Sequence, residues 1–306
     1  MYYNIEAFGQ KIISIRKSHK LTREQLSKLS YVSMETIRKV ETGKYIPSHK
    51  ILDDLSEVLK IDLNKLLLKY RLEDFQAFDD IKNRMEAKFD NSEYDTLEKE
   101  YEDFYNLLQS TENQYFQKII RQLMLLVKAL IINYKENNPS ESLETLIESI
   151  CLTVPDFSLS NYQSFVYSST EIRILMNIAL LIRKLKSKEE AIEILEFCIN
   201  MIESDDEIYP KLCSNLSGLY SLVKQYDQAL KYSNLGINYC LNKRKYPGLN
   251  ILYYGKGVAE YHLGLDEYVE SLNKALSFCD VLGQEKLKKV IVYKCKKFYD
   301  IELELK

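Results

Sequence analysis

Three stretches of this 306-residue chain repeat one another at a nearly fixed spacing, and such self-similarity requires a stack of like units. Lys188-Glu189-Glu190-Ala191-Ile192 aligns with Tyr226-Asp227-Gln228-Ala229-Leu230 at a shift of 38, and the latter with Leu265-Asp266-Glu267-Tyr268-Val269 after a further 39. Upstream of these, Asn177-Ile178, Asn215-Leu216 and Tyr254-Gly255 correspond, with Ile182, Tyr220 and Ala259 a helical turn later. Each unit therefore reads as a helical hairpin, the upstream matches marking first helices and the others second helices. Only 9 Gly and 5 Pro occur in the whole chain, too few for the many short turns of an all-β fold, so the expected class is all-α.

The unit resembles a tetratricopeptide repeat lengthened by a few residues beyond the usual ~34, and Tyr226 to Tyr232 is its best copy. The resemblance implies a right-handed α-solenoid whose first helices line a concave groove suited to a peptide or a partner helix. The repeat spacing puts Arg173, Lys211 and Asn250 at equivalent points, and Asn177, Asn215 and Tyr254 one turn on, so both sets are expected to line one peptide-binding track. An asparagine amide both donates and accepts, matching a peptide main chain of any sequence, while Arg173 and Lys211 can hold a carboxylate. Residues 72–160 also keep helical periodicity, with Tyr101, Phe104, Tyr105 and Leu108 in one expected stripe. Asn137-Asn138-Pro139-Ser140 marks a turn, and 152–162 is the longest break.

The first seventy residues carry a different pattern of five short helices. Phe8, Ile12 and Ile15 recur at helical spacing in a helix ending near Ser18. Thr22 caps a second helix whose third following residue, Gln25, completes a capping box, with Leu26 and Leu29 expected to point inward. Ser33 caps a third, turning Ile37 and Val40 to the core and Met34, Glu35, Arg38 and Lys39 outward, and Gly43 suits its stop. Pro47-Ser48 opens a fourth helix with Ile51, Leu52, Leu55 and Leu59, and Asp62 caps a fifth with Leu63, Leu66 and Leu67.

Positions 5 to 68 resemble the lambda-repressor-like, or XRE-type, helix-turn-helix family. In that family the third helix enters the major groove, so the resemblance implies Ser33, Met34, Glu35, Arg38 and Lys39 as readers of base edges. Arg38 can fork onto guanine and Glu35 can accept from a cytosine amine. Thr22 and Arg23 open the preceding helix, where backbone amides and a cation suit phosphate; the family usually has glutamine at Arg23, so an ionic contact there would depend more on salt. Arg16 and Glu41 match a pair that the family uses as an internal salt bridge.

Charge agrees with this division. Residues 1–70 hold 13 Lys/Arg against 8 Asp/Glu, a net +5, whereas the rest holds 29 against 37, a net −8. A basic module on an acidic one suits a nucleic-acid reader with a separate sensing domain and weighs against a head that binds only protein. Ile119 to Ile132, the longest apolar stretch, is broken by Arg121, Gln122 and Lys128, short of the ~18 residues of a membrane span. The start, Met1 to Glu6, has neither a basic leader nor an apolar signal core, so a cytoplasmic protein without membrane contact is expected. The six cysteines lie singly, as structural thiols, and neither a metal nor a cofactor is expected. His19, His49 and His262 are widely separated, and no phosphate loop or nucleophile signature is present, so no catalytic residue is assigned and an enzyme is not expected.

The whole arrangement, a head over residues 1–70 and a helical repeat domain over 71–306, resembles the Rgg, PlcR and PrgX (RRNPP) family of peptide-responsive regulators of Gram-positive bacteria. The resemblance implies a quorum-sensing transcription factor, a homodimer or tetramer, that binds double-stranded operator DNA through its head. Its repeat domain would bind a short signalling peptide and dimerise, so that the peptide alters the geometry at the operator. The tail also resembles the Rap phosphatases, which lack such a head. Two other readings fit the same architecture: a helix-turn-helix regulator controlled by a protein partner, and a peptide-responsive phage lysis-lysogeny regulator.

Overall fold

The structure, a computed structural model, describes residues 3–70, 75–91, 93–204 and 206–303. Met1 and Tyr2, and residue 71, where the repeat domain was expected to begin, lie outside the described residues. Among the described residues the regular elements are all helical, and no helix is long and apolar enough to cross a membrane. The chain divides into two compact units, Met1–Met85 with Lys99–Arg121, and Glu86–Glu98 with Gln122–Lys306.

The first unit opens with α1 (Ile5–Ser18), α2 (Arg23–Ser30), α3 (Met34–Glu41), α4 (His49–Leu59) and α5 (Leu63–Leu68). Each begins where a short polar side chain satisfies a free backbone amide: Asn4, Thr22, Ser33, Ser48 and Asp62 all accept from an N–H three residues on. At Thr22 the box is complete, since the Gln25 side chain also receives the Thr22 N–H at 2.8 Å. Phe8, Ile12, Leu26, Ile37, Val40, Leu52, Leu55 and Leu59 form one core. Gly9 lies where α1 passes the end of α3, and a Cβ there would stand 2.5 Å from the Glu41 carbonyl, so only glycine permits this approach. Leu29 departs from expectation: at 56 % exposed it faces away from the core, because Ser30, one position on, takes the inward place and bonds the Leu26 carbonyl at 2.7 Å.

Also in the first unit, part of α6 (Phe75–Asp90) packs on α7 (Glu98–Ser110) through Phe78 and Phe104, ring centroids 6.3 Å apart. The buried face of α7 is Glu100, Phe104 and Leu107, not the Tyr101, Phe104, Tyr105 and Leu108 stripe read from the sequence. Tyr105 is exposed, and the inward face holds Glu100 because Arg84 is beside it, 3.6 Å away.

The second unit takes in the rest of α6, then α8 (Gln114–Tyr134) from Gln122, and α9 (Pro139–Cys151). Three hairpins follow: α10 (Ser169–Leu185) with α11 (Lys188–Met201), α12 (Tyr209–Leu222) with α13 (Tyr226–Asn242), and α14 (Leu249–Leu263) with α15 (Tyr268–Val281). The last helix, α16 (Glu285–Tyr299), packs on α15. These are the hairpins expected from the repeat, a tetratricopeptide-like solenoid in which α12 packs on both α13 and α14. Gly255 occupies the place of Ile178 and Leu216 in the earlier units because Ser217 and Ser233, bonded to each other at 2.7 Å, press against it; a Cβ would meet Ser217 Oγ at 2.8 Å.

Five of the six cysteines are buried in this unit, and Cys151 is half-buried. Burial pushes the thiols of Cys198 and Cys213 up to about 12 and those of Cys240 and Cys295 up to about 11. Folding thus favours the protonated thiol, a contribution complete below the ordinary thiol value of 9.0 and lost as pH rises towards about 12. At pH 8 a chromogenic thiol reagent should label at most Cys151 in the native protein and all six in denaturant, and midpoint denaturant concentrations should fall above pH 9. Rapid native labelling of two or more thiols would contradict this packing.

Candidate functional site

The side chains expected to face outward on α3 do so. Ser33, Met34, Glu35, Arg38 and Lys39 are all exposed, on a helix anchored underneath by the fully buried Ile37 and Val40. Glu35 stands between the two cations, 3.6 Å from Arg38 and 3.3 Å from Lys39. Such exposed pairs one turn apart are worth little and are easily exchanged for stronger partners. Thr22 is exposed at the start of α2.

Arg23, expected to meet phosphate, also has a partner within the head. Its Nε donates to Glu41 Oε2 at 2.5 Å, and its side chain is 40 % exposed. Glu41 is fully buried and also accepts from Arg16 Nε at 2.5 Å and Arg16 Nη2 at 3.3 Å, while Arg16 Nη1 donates to the Leu21 carbonyl at 2.8 Å. The expected Arg16–Glu41 pair is therefore one half of a bracket that ties α1, the start of α2 and the end of α3 to a single carboxylate. A buried carboxylate needs this much compensation, and Arg23 supplies what glutamine could not, a full charge.

In the second unit the three equivalent points Arg173, Lys211 and Asn250 do converge on one track, but the chain's own α6 lies along it. Arg173 Nη2 is 2.9 Å from Glu86 Oε2; Lys211 Nζ is 3.3 Å from the same oxygen and 2.7 Å from Asp90 Oδ1. Both cations also stand over the Phe89 ring, at 5.6 and 5.9 Å from its centroid. Asn250, almost fully buried, bonds Gln284, whose amide in turn donates to Asn91 Oδ1 at 2.9 Å. These three side chains, expected to be open to a peptide, are thus engaged by residues 86–91 and by Gln284, because two cations under this much cover need acids and Glu86 and Asp90 supply them one turn apart.

The set one turn on divides. Asn177 is half-buried and donates to the Arg173 carbonyl at 2.9 Å, leaving its carbonyl oxygen without a partner among the described residues. Asn215 is half-buried, and its amide has no partner among the described residues. Tyr254 is not beside them in character: it packs on the carboxy-terminal core of Leu272, Leu276, Ile291 and Cys295, and burial, with Tyr299 next to it, raises its hydroxyl above the ordinary value. Glu86, Phe89, Asp90, Asn91 and Gln284 escaped sequence reasoning. The acid pair at i, i+4 around a phenylalanine is the one local signal, and nothing local ties it to cations a hundred residues away.

Residues 12–66 match the helix-turn-helix family HTH_3, and residues 90–300 match the RNPP family C-terminal domain. The HTH-type transcriptional repressor RghR of Bacillus subtilis (strain 168) is 36% identical over 66 residues, 21% of this chain and 49% of RghR, so the chain spans about half the length of that relative. Among solved structures, Bacillus thuringiensis PlcR in complex with the peptide PapR7 and DNA superposes with a TM-score of 0.74 at 20% identity, over 94% of this chain and 99% of PlcR. ComR from S. thermophilus, in complex with DNA and its signalling peptide ComS, superposes with a TM-score of 0.59 at 17% identity, over 93% and 97% of the two chains. At these identities the likeness to PlcR and ComR is one of fold.

The bracket around Glu41 makes a prediction separable from DNA contact. Glu41→Ala should destabilise the head by about 3–5 kcal/mol, since it strands a buried guanidinium, whereas Arg23→Ala should cost about 1 kcal/mol because Arg16 remains. Urea unfolding of each variant, followed by circular dichroism, measures both; equal losses would refute the shared carboxylate.

Proposed function

Because this chain belongs to the RNPP family, whose C-terminal domain spans its residues 90–300, we propose that it is a sequence-specific DNA-binding transcriptional regulator, not an enzyme, whose repeat domain binds a short signalling peptide. Residues 1–70 are the reading head and 71–306 the domain that binds peptide and dimerises. The observation that carries the reading is an exposed, firmly braced α3 in a basic head, joined to a repeat domain of this family. Both the PlcR and the ComR crystals with which the chain shares its fold hold a peptide and DNA together. The protein acts in the cytoplasm, on double-stranded operator DNA, as a homodimer.

At the operator, Ser33, Met34, Glu35, Arg38 and Lys39 read bases, while Thr22 and the outer edge of Arg23 meet phosphate. Arg23 does so while holding Glu41, so its phosphate contact is secondary to its bracing role. On the repeat domain, Asn177 and Asn215 are the peptide main-chain contacts. Arg173 and Lys211 become available to a peptide carboxylate only by exchange with Glu86 and Asp90. That exchange supplies what a switch needs, a ligand whose affinity differs between two states of the same residues. Dimeric readers must present their third helices ~34–36 Å apart, so a small rearrangement is enough to change operator fit. Asn250 and Tyr254 support the track from within and do not touch the ligand.

Replacing Arg38 and Lys39 together with alanine should weaken operator binding by ten-fold or more while helical content and mass stay unchanged. Unaltered binding would remove α3 from the interface. Asn177→Ala with Asn215→Ala should abolish the shift that peptide produces in a DNA titration, with the peptide-free titration unmoved; a normal dose response would place the peptide elsewhere.

A further inference from the structure

The turn before α3 holds an aromatic residue in an unusual backbone conformation. Tyr31 is 95 % exposed, and its backbone is left-handed, φ 58°, a conformation that favours glycine. Other residues of this chain adopt a positive φ, namely lysines, an arginine, an asparagine and an aspartate besides glycines; Tyr31 is the aromatic one among them. The left-handed region costs an L-residue on the order of 1 kcal/mol that glycine would not incur. The turn is also fixed from both sides: Ser27 Oγ donates to the Val32 carbonyl at 2.7 Å, and the Val32 N–H donates to Ser30 Oγ at 3.3 Å. No hydrogen bond, ion pair or ring contact engages the Tyr31 ring among the described residues. Three positions on, at the first turn of α3, Met34 is 55 % exposed. A rigid turn thus presents two large apolar side chains on either side of the cap residue Ser33.

Resting on the assignment of this head to DNA, we propose that Tyr31 and Met34 are specificity-determining residues that read the 5-methyl groups of thymines. The first turn of a recognition helix is the part that meets base edges. The one apolar group that B-DNA displays in the major groove is the thymine methyl, and apolar side chains contact it where polar ones read the other edges. The polar readers Glu35, Arg38 and Lys39 face guanine and cytosine edges; Tyr31 and Met34 supply the complementary preference for A·T pairs beside them. The pinned turn makes the contact inexpensive in entropy, since only the ring torsions remain to be ordered.

The test begins with selection of duplexes from a random-sequence library by the full chain, without peptide. The best duplex is resynthesised with deoxyuridine for each thymidine in turn, which removes only the methyl group, and affinities are read by fluorescence anisotropy. The wild type should lose about four-fold for each contacted methyl, at one or two neighbouring positions. Tyr31→Gly and Met34→Ala should each bind the thymine duplex correspondingly less well and no longer distinguish uracil at one of those positions. Tyr31→Gly should be at least as stable to heat as the wild type, which separates lost reading from lost folding. Equal binding of thymine and uracil duplexes by the wild type overturns the proposal, as do variants that keep the wild-type discrimination. Variants weakened equally on both duplexes also overturn it, in favour of a backbone contact. Selection of no sequence at all would instead defeat the assignment to DNA, and this inference with it.

Discussion

The repeat domain depends on what becomes of two cations. Arg173 and Lys211 stand at the same point of successive units, under cover that leaves little water to solvate them, and Glu86 and Asp90 of α6 neutralise both. Removing one side of such a network leaves charge without compensation, so the ion pairs and the Phe89 ring between them fix the end of α6 on its unit. The hydrogen-bonded run from Asn250 through Gln284 to Asn91 extends the same attachment to a third unit. One short segment therefore takes up two of these positions with its acids and reaches the third through Gln284.

The head solves its own problem in a related way. Glu41 is withdrawn from water and held by two guanidinium groups, one buried and one half-exposed, so α1, α2 and α3 share one electrostatic centre. Gly9 lets α1 approach the end of α3 closely enough for this, and the caps at Thr22 and Ser33 fix where the two central helices begin. With the inner face of α3 locked, its outer side chains are free to be chosen for contact. The same residues that make the fold rigid therefore leave Glu35, Arg38 and Lys39, among the described residues, in ion pairs with each other that water already weakens.

Much of this was legible in the sequence because it rests on local chemistry. Helix starts follow from side chains three residues from the amides they satisfy, and repeat units follow from spacing alone, so five head helices and three hairpins could be placed from residues such as Thr22, Gln25, Ala191 and Ala229. Facing was less legible. Leu29 and the α7 stripe were misjudged because hydrophobicity says which residues want burial, not which neighbour, Ser30 or Leu107, a helix actually turns inward. Partnership across the chain was not legible at all. Arg23 reads as a phosphate contact until Glu41 is seen to need a second cation, and Arg173 and Lys211 read as open until Glu86 and Asp90 are found opposite them.

On the proposed function, one protein reads DNA with its head and responds to a peptide with its repeats. The most direct measurement titrates the purified full chain against the DNA upstream of its own gene by fluorescence anisotropy, with and without synthetic peptides cut from short reading frames beside that gene. Saturable binding that survives competition by unrelated duplex is expected, with a shift in its midpoint on addition of one of the peptides. Binding that unrelated DNA abolishes even at low salt, or specific binding that no peptide moves, would contradict it, the first at the head and the second at the repeats.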